Sequence, residues 1–247
     1  LAKVANQIEK WDAASPYRMS RAGGSSISVF IDGAYIRAVP GYQSRHFEIA
    51  MGRVVSPGRL PRQFAAAPHV ATGKHDAVRA AMRAQGWLPG RDVTVFSDGD
   101  VGLQSIVLSA TREPVTHILD WFHLSMRLRH IEQTWQGLRH IGDLNIYLRD
   151  VAVDVPRLRH LLWSGYVREA TRAVKNMRYQ LEQHATLRDA NQKLKRLSVL
   201  ISNLQSYLFQ NTTSIVDYCH RYWSGEREKG GGKNLQVIGS FSGKGTR

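Results

Sequence analysis

Two stretches of this chain follow one grammar. Ser28-Val29-Phe30-Ile31-Asp32-Gly33 and Val93-Thr94-Val95-Phe96-Ser97-Asp98-Gly99 each run apolar and β-branched residues into Asp-Gly, with Phe two positions before the acid. Such runs predict strands that break at the glycine, so each carboxylate stands at the open end of a strand. Side chains alternate across a strand, so Phe30 shares a face with Asp32 and Phe96 shares one with Asp98. If the strands are parallel neighbours, both acids meet at one sheet edge. That demand points to an α/β architecture in which two segments distant in sequence lie side by side.

Two carboxylates gathered this way form a site for hard divalent cations, which take oxygen ligands and leave room for phosphate oxygens. The competing reading is plain turn chemistry, since Asp bonds its own backbone and Gly supplies positive φ. Either stretch alone reads as a turn; the recurrence in a strongly basic chain favours a metal site. The formal charge is +14, from 34 Lys and Arg against 20 Asp and Glu, which calls for a polyanionic partner, most simply nucleic acid. No apolar run approaches membrane length and no helix combines a strong apolar face with exposed aromatics, so no membrane partner is expected. A single cysteine, Cys219, leaves no internal disulfide and no thiolate cluster for zinc, and fits a reducing, cytoplasmic setting.

Residues 1–26 read as a short helix, with Val4, Ile8 and Trp11 at helical spacing, followed by a Gly-Ser linker. The first residue is Leu, so the chain is expected to be a fragment or to start at an unusual codon. After the strand carrying Asp32, Tyr35 to Val39 reads as a second strand closed by Pro40-Gly41, His46 to Val55 as a third returning antiparallel, and Pro57 to Pro68 as loop. A helix follows from Lys74 to Gln85, ended by Gly86, then the strand delivering Asp98, a helix from Val101 to Ser109, and a fifth strand from Val115 to Leu119. Adjacency of strands one and four is what an RNase H-like mixed sheet provides. Beyond Asp120 the sequence turns helical. Stripes at Leu124, Leu128, Ile131, Trp135 and Leu138, at Val167, Ala170, Val174, Met177 and Leu181, and from Leu187 through Leu194, Leu197, Ile201 and Leu204 to Leu208 predict core seams. Thr186-Leu187-Arg188-Asp189 resembles a capping box, placing a turn near Ala185 and a helical hairpin around it. The expected divisions are 1–26 linker, 27–140 catalytic core, 141–223 helical insertion and 224–247 a Gly-rich tail. The outer faces of the hairpin are basic: Arg168, Arg172, Lys175 and Arg178, then Arg188, Lys193, Lys195 and Arg196, suited to gripping phosphates.

Taken with Asp98-Gly99-Asp100-Val101-Gly102-Leu103, Asp120-Trp121-Phe122-His123-Leu124 and Phe47-Glu48-Ile49-Ala50-Met51-Gly52, the chain resembles bacterial DDE insertion-sequence transposases of the ISKra type, which belong with the Mutator-like enzymes. The similarity runs from about Ile27 through Arg227. The resemblance implies an RNase H-like fold with an all-helical insertion, and puts the first two triad acids at Asp32 and Asp98. It implies two Mg²⁺ or Mn²⁺ ions, roughly 3.5–4 Å apart in such enzymes, for DNA cleavage and strand transfer. Asp32 would bridge both ions and Asp98 would hold one. Asp120 and His123 match the acid-or-Cys, two residues, His motif that helps shape the site; His123 reads equally well as a satisfied core histidine. Partners would be transposon ends and target DNA, handled by a homo-oligomer.

The family's third acid is a Glu on a returning helix. Near Asn234, where it is expected, this chain reads Glu228-Lys229-Gly230-Gly231-Gly232-Lys233-Asn234. The expectation is a frameshifted or truncated copy with little cleavage activity, in which the glycines leave Glu226 and Glu228 without a stiff helix. Two other classes fit the residues: a different RNase H-fold nuclease acting on hybrids or junctions, and a non-catalytic DNA-binding protein whose acids are only turns.

Overall fold

The computed structural model describes residues 26–37, 45–67 and 73–223. The expected N-terminal helix and linker and the Gly-rich tail, with Glu226 and Glu228, lie outside the described residues. The described parts form two compact units dividing between Ile118 and Leu119. That division falls before residue 140, because the helix with the Leu124 stripe packs on other helices of the second unit.

Among the described residues the strands are β1 (Ile27–Arg37), β2 (His46–Val55), β3 (Arg62–Ala66), β4 (Val93–Ser97) and β5 (Thr116–Leu119), in the order β3-β2-β1-β4-β5. β2 is antiparallel to β1 and to β3, whereas β1 and β4 are parallel. The sheet is therefore mixed, and strands one and four are neighbours as the sequence predicts. Two helices, α1 (Lys74–Ala84) and α2 (Val101–Thr111), cover one face. There Val78, Ala81 and Met82 of α1 and Leu103, Val107 and Ala110 of α2 bury against Ile27, Val29, Ile31, Ala50, Val54, Val93 and Val95. α1 ends where the sequence places its stop. Gly86 takes φ +81, its N–H donates to the Arg83 carbonyl at 2.9 Å, and the Trp87 N–H donates to Met82 at 3.0 Å, closing a Schellman turn.

Three local expectations are corrected. Tyr35 to Val39 is not a separate strand: β1 runs unbroken from Ile27 to Arg37. The stretch 57–68 is not all loop, because Arg62–Ala66 pairs with Ala50 to Val54 as an edge strand, its Phe64 ring lying over Gly52. Gly52 supplies the space. A Cβ there would stand 2.7 Å from the Phe64 ring and 1.9 Å from the Phe30 carbonyl oxygen.

The second unit is helical: α3 (Trp121–Gln136), α4 (Leu144–Tyr147), α5 (Arg149–Trp163), α6 (Val167–Gln183), α7 (Ala185–Ala190), α8 (Gln192–Gln210) and α9 (Tyr218–Trp223). α3, α6 and α8 bury the predicted stripes. The third expectation to change is the start of the long seam. The helix predicted through Leu187 breaks, and Leu187 and Ala190 are exposed. Asn191 is the true cap: its backbone is extended and its Oδ1 accepts from the N–H groups of Lys193 and Leu194 at 2.9 and 3.3 Å. α5 has no counterpart among the predicted stripes; its core side is Val151, Val155, Leu158 and Leu162, with Pro156 inside it. Trp121, Trp163 and Tyr218 pack ring against ring, and the Tyr218 hydroxyl donates to the Leu119 carbonyl at 2.8 Å. Among the described residues no helix is long and apolar enough to cross a membrane.

Candidate functional site

The site is built from the register of β1 on β4. Ile27 stands beside Val93, and the pairing steps evenly to Phe30 beside Phe96. The two phenyl rings stack, centroids 4.7 Å apart and planes 10° from parallel. Two residues further along each chain come Asp32, inside β1, and Asp98, the residue that follows β4. Neighbouring strands lie about 4.8 Å apart. Alternation turns Asp32 to the face opposite α1 and α2, the face of the stacked rings, while Asp98 follows directly on the last residue of β4.

The two Asp-Gly pairs, alike in sequence, differ in structure. At Asp32 the strand continues: Gly33 stands opposite Ala50 in the β1–β2 ladder, and the Asp32 Oδ1 accepts from the Gly33 N–H at 2.8 Å. The expected break at Gly33 is corrected, and the turn reading fails with it: β1 runs on to Arg37 because residues 33 to 37 keep pairing with β2. At Asp98 the turn is real. Gly99 has φ +91, and the Asp98 Oδ1 accepts from the Asp100 N–H at 2.9 Å. Asp100 in turn caps α2, accepting from the Gly102 N–H. The second acid is thus set at the end of its strand by two successive side-chain turns, and the first by the ladder.

Asp32 is exposed and has no ion-pair partner among the described residues. Among the described residues, no group of three or more His, Cys, Asp or Glu side chains is arranged to hold a metal. Mg²⁺ and Mn²⁺ seldom need such a cage. Mg²⁺ commonly binds through one or two carboxylates, keeping waters and substrate phosphates as its other ligands. The chemistry of this donor set, two aspartates carried on neighbouring strands, one of them exposed, fits such an ion.

Behind Asp98 lies a polar contact that sequence reasoning misses. Ser97 is buried on the helix-covered face, and its Oγ lies 2.8 Å from His117 Nε2 on β5 while the Gly99 N–H donates to that same Oγ at 3.4 Å. Burial pushes the His117 imidazole below its usual range, and the Asp98 carboxylate offsets part of that. Unfolded, the ring titrates near 6.5. Below that value the unfolded chain takes up a proton that the folded ring resists. Stability is therefore complete above pH 6.5 and declines as the pH falls from there through the lower folded value. Urea unfolding midpoints of the metal-free protein at pH 7.5 and 5.5 should show this decline, and His117→Gln should make it shallower.

Asp120 and His123 lie in the helical unit. Asp120 caps α3, accepting from the Phe122 N–H at 2.9 Å, and its other oxygen is 3.9 Å from His123 Nε2. His123 is partly exposed and edge-on to Phe122. The basic candidates sort into two sets. Arg178 is held by Glu182 at 2.8 Å and bonds Gln205, Arg188 pairs with Asp189, and Lys193 reaches the Gly137 carbonyl. Arg168, Arg172 and Lys175 of α6 and Arg196 of α8 are exposed without an ion pair among the described residues. Arg168, Arg172 and Lys175 line up at successive helical turns, and the stripe continues to Tyr179, 63% exposed.

No family model, no curated protein and no solved structure matches this chain.

Proposed function

We propose that this chain is a DNA transposase of the DDE insertion-sequence kind, on an RNase H-like sheet, in a truncated or frameshifted copy that lacks the third catalytic acid and has little cleavage activity. The observation that carries the reading is the parallel pairing of β1 with β4, which stacks Phe30 on Phe96, with Asp32 and Asp98 each two residues beyond its ring. The strand order, with β2 antiparallel between β3 and β1, is the order an RNase H-like sheet uses. The charge of +14 supports a phosphodiester substrate.

Asp32 and Asp98 would hold the divalent ions, which supply activation of the attacking oxygen and stabilisation of the leaving one at phosphorus. The chain's own work is to fix the two carboxylates, through the ladder at Asp32 and the side-chain turn at Asp98. Arg168, Arg172, Lys175 and Arg196 offer unpaired positive charge to the DNA backbone, with Asp120 and His123 as accessory groups of the helical unit. A second copy of the chain, working on paired DNA ends, belongs to the same reading.

Binding needs no third carboxylate, so it tests the substrate class directly. In a competition assay with labelled 20-bp duplex DNA, unlabelled duplex should displace the probe at several-fold lower concentration than an RNA–DNA hybrid or a four-way junction of equal length. Preferential displacement by the hybrid or the junction would assign the chain to another RNase H-fold activity. Absence of duplex binding would overturn the proposal.

A further inference from the structure

Arg53 lies on the acid-bearing face of the sheet. It stands opposite Phe30 in the β1–β2 ladder, while Met51, two residues earlier, stands opposite Asp32. Arg53 and Asp32 are therefore diagonal neighbours, about 7–8 Å apart in such an arrangement and somewhat closer between Cβ atoms. The Arg53 guanidinium carbon sits over the Phe30 ring at 4.8 Å from its centroid, and Phe30 stacks on Phe96. Cation, ring and ring form one row across β2, β1 and β4, and each acid comes two residues after its ring.

Arg53 is only half exposed and has no ion pair among the described residues. The ring holds the head group near the sheet by cation–π attraction, worth roughly 0.5–2 kcal/mol in general, but it leaves the in-plane N–H donors unused. A guanidinium in this state suits a phosphate oxygen pair, which it takes in a bidentate fork. Met51, 39% exposed, stands opposite Asp32, which is itself exposed.

We infer that Arg53, seated on the Phe30 ring, binds a phosphodiester of the nucleic-acid strand that lies across Asp32 and Asp98. The inference rests on the DNA-processing reading above and adds a residue to it. Two carboxylates repel a phosphate unless cations stand between them; a fixed guanidinium beside them lowers that repulsion and sets which phosphate comes to rest there. Arg53 is a substrate-binding residue in this account, and it takes no part in holding metal.

The test compares wild type, Arg53→Gln and Arg53→Lys by fluorescence anisotropy with a 20-bp duplex over a range of salt concentrations, and by calorimetric Mn²⁺ titration without DNA. Arg53→Gln should weaken duplex binding about tenfold near physiological salt and reduce the salt slope by about one unit. Arg53→Lys should keep the wild-type slope but recover only part of the affinity, because an ammonium lacks the fork. Mn²⁺ affinity should be the same in all three. A wild-type slope and affinity in Arg53→Gln would overturn the inference while leaving the DNA-processing reading intact. Loss of Mn²⁺ affinity in Arg53→Gln would overturn it too, by assigning the residue to the metal site. If wild type itself fails to bind duplex, both fall together. Should Arg53→Gln not fold, Arg53→Lys decides: undiminished affinity counts against the fork, reduced affinity at unchanged slope counts for it.

Discussion

Gly52→Ala is expected to destabilise the sheet-bearing unit by about 3 kcal/mol, the upper part of the range for overpacking a filled site. The added methyl would stand 1.9 Å from the Phe30 carbonyl oxygen, a backbone atom that cannot swing aside, and 2.7 Å from the Phe64 ring. Relief demands that β1 and β2 separate at the residues pairing Ile31 with Gly52, the centre of the sheet. For a chain of this size such a loss lowers the melting midpoint by roughly 6–12 °C. Gly58→Ala is the control. That glycine has φ +76 and nothing within 4 Å of its would-be Cβ, so only the left-handed backbone resists, at about 1 kcal/mol. Thermal denaturation of the two variants should rank them clearly. Equal midpoints would mean that the close approach of β2 to Phe30 is not made in solution.

The outline of this fold was legible where one local rule governs. The Phe-x-Asp-Gly grammar located β1 and β4, glycine at the end of an amphipathic stretch ended α1, and regular stripes located α3, α6 and α8. Legibility failed where a neighbour decides. Asp32-Gly33 and Asp98-Gly99 are indistinguishable in sequence, yet pairing with β2 carries the chain straight through the first, while the pairing of β4 with β1 ends at Phe96 and the chain turns at the second. Arg62–Ala66 has a proline at each flank and only Phe64 as a large apolar residue, so it reads as loop until Phe64 finds the hole above Gly52. α5 carries Pro156 and the buried Asp154, whose carboxylate is met by Arg157 at 3.0 Å, and these obscure an otherwise helical pattern. The stripe through Leu187 is continuous in sequence; Asn191 nevertheless interrupts it by capping the helix that follows.

The same distinction runs through the site. Asp32 and Asp98 carry their own signal, a repeated motif with fixed parity between ring and acid. Arg53 and His117 carry none: one is defined by lying opposite Phe30, the other by facing Ser97 from the next strand. An isolated arginine in a β-rich run and an isolated histidine near a strand end acquire meaning only from register. Arg178, by contrast, looked as available as Arg172 in sequence and is in fact engaged by Glu182 four residues on.

Asp32→Asn and Asp98→Asn should each abolish most divalent-cation binding. Each substitution keeps size and the side-chain oxygen that accepts the neighbouring N–H, from Gly33 at 2.8 Å or from Asp100 at 2.9 Å, so the fold should survive. Each removes one of the two charges that attract the ion. Asp100→Asn makes a demanding control, because this acid lies two residues from Asp98 but is spent on capping α2, a task asparagine performs as well. Calorimetric titration of Mn²⁺ into the four proteins tests the convergence of the two acids most directly. The account predicts measurable binding to wild type and to Asp100→Asn, with affinity reduced at least tenfold in Asp32→Asn and in Asp98→Asn. Wild-type affinity in either of the last two would contradict it.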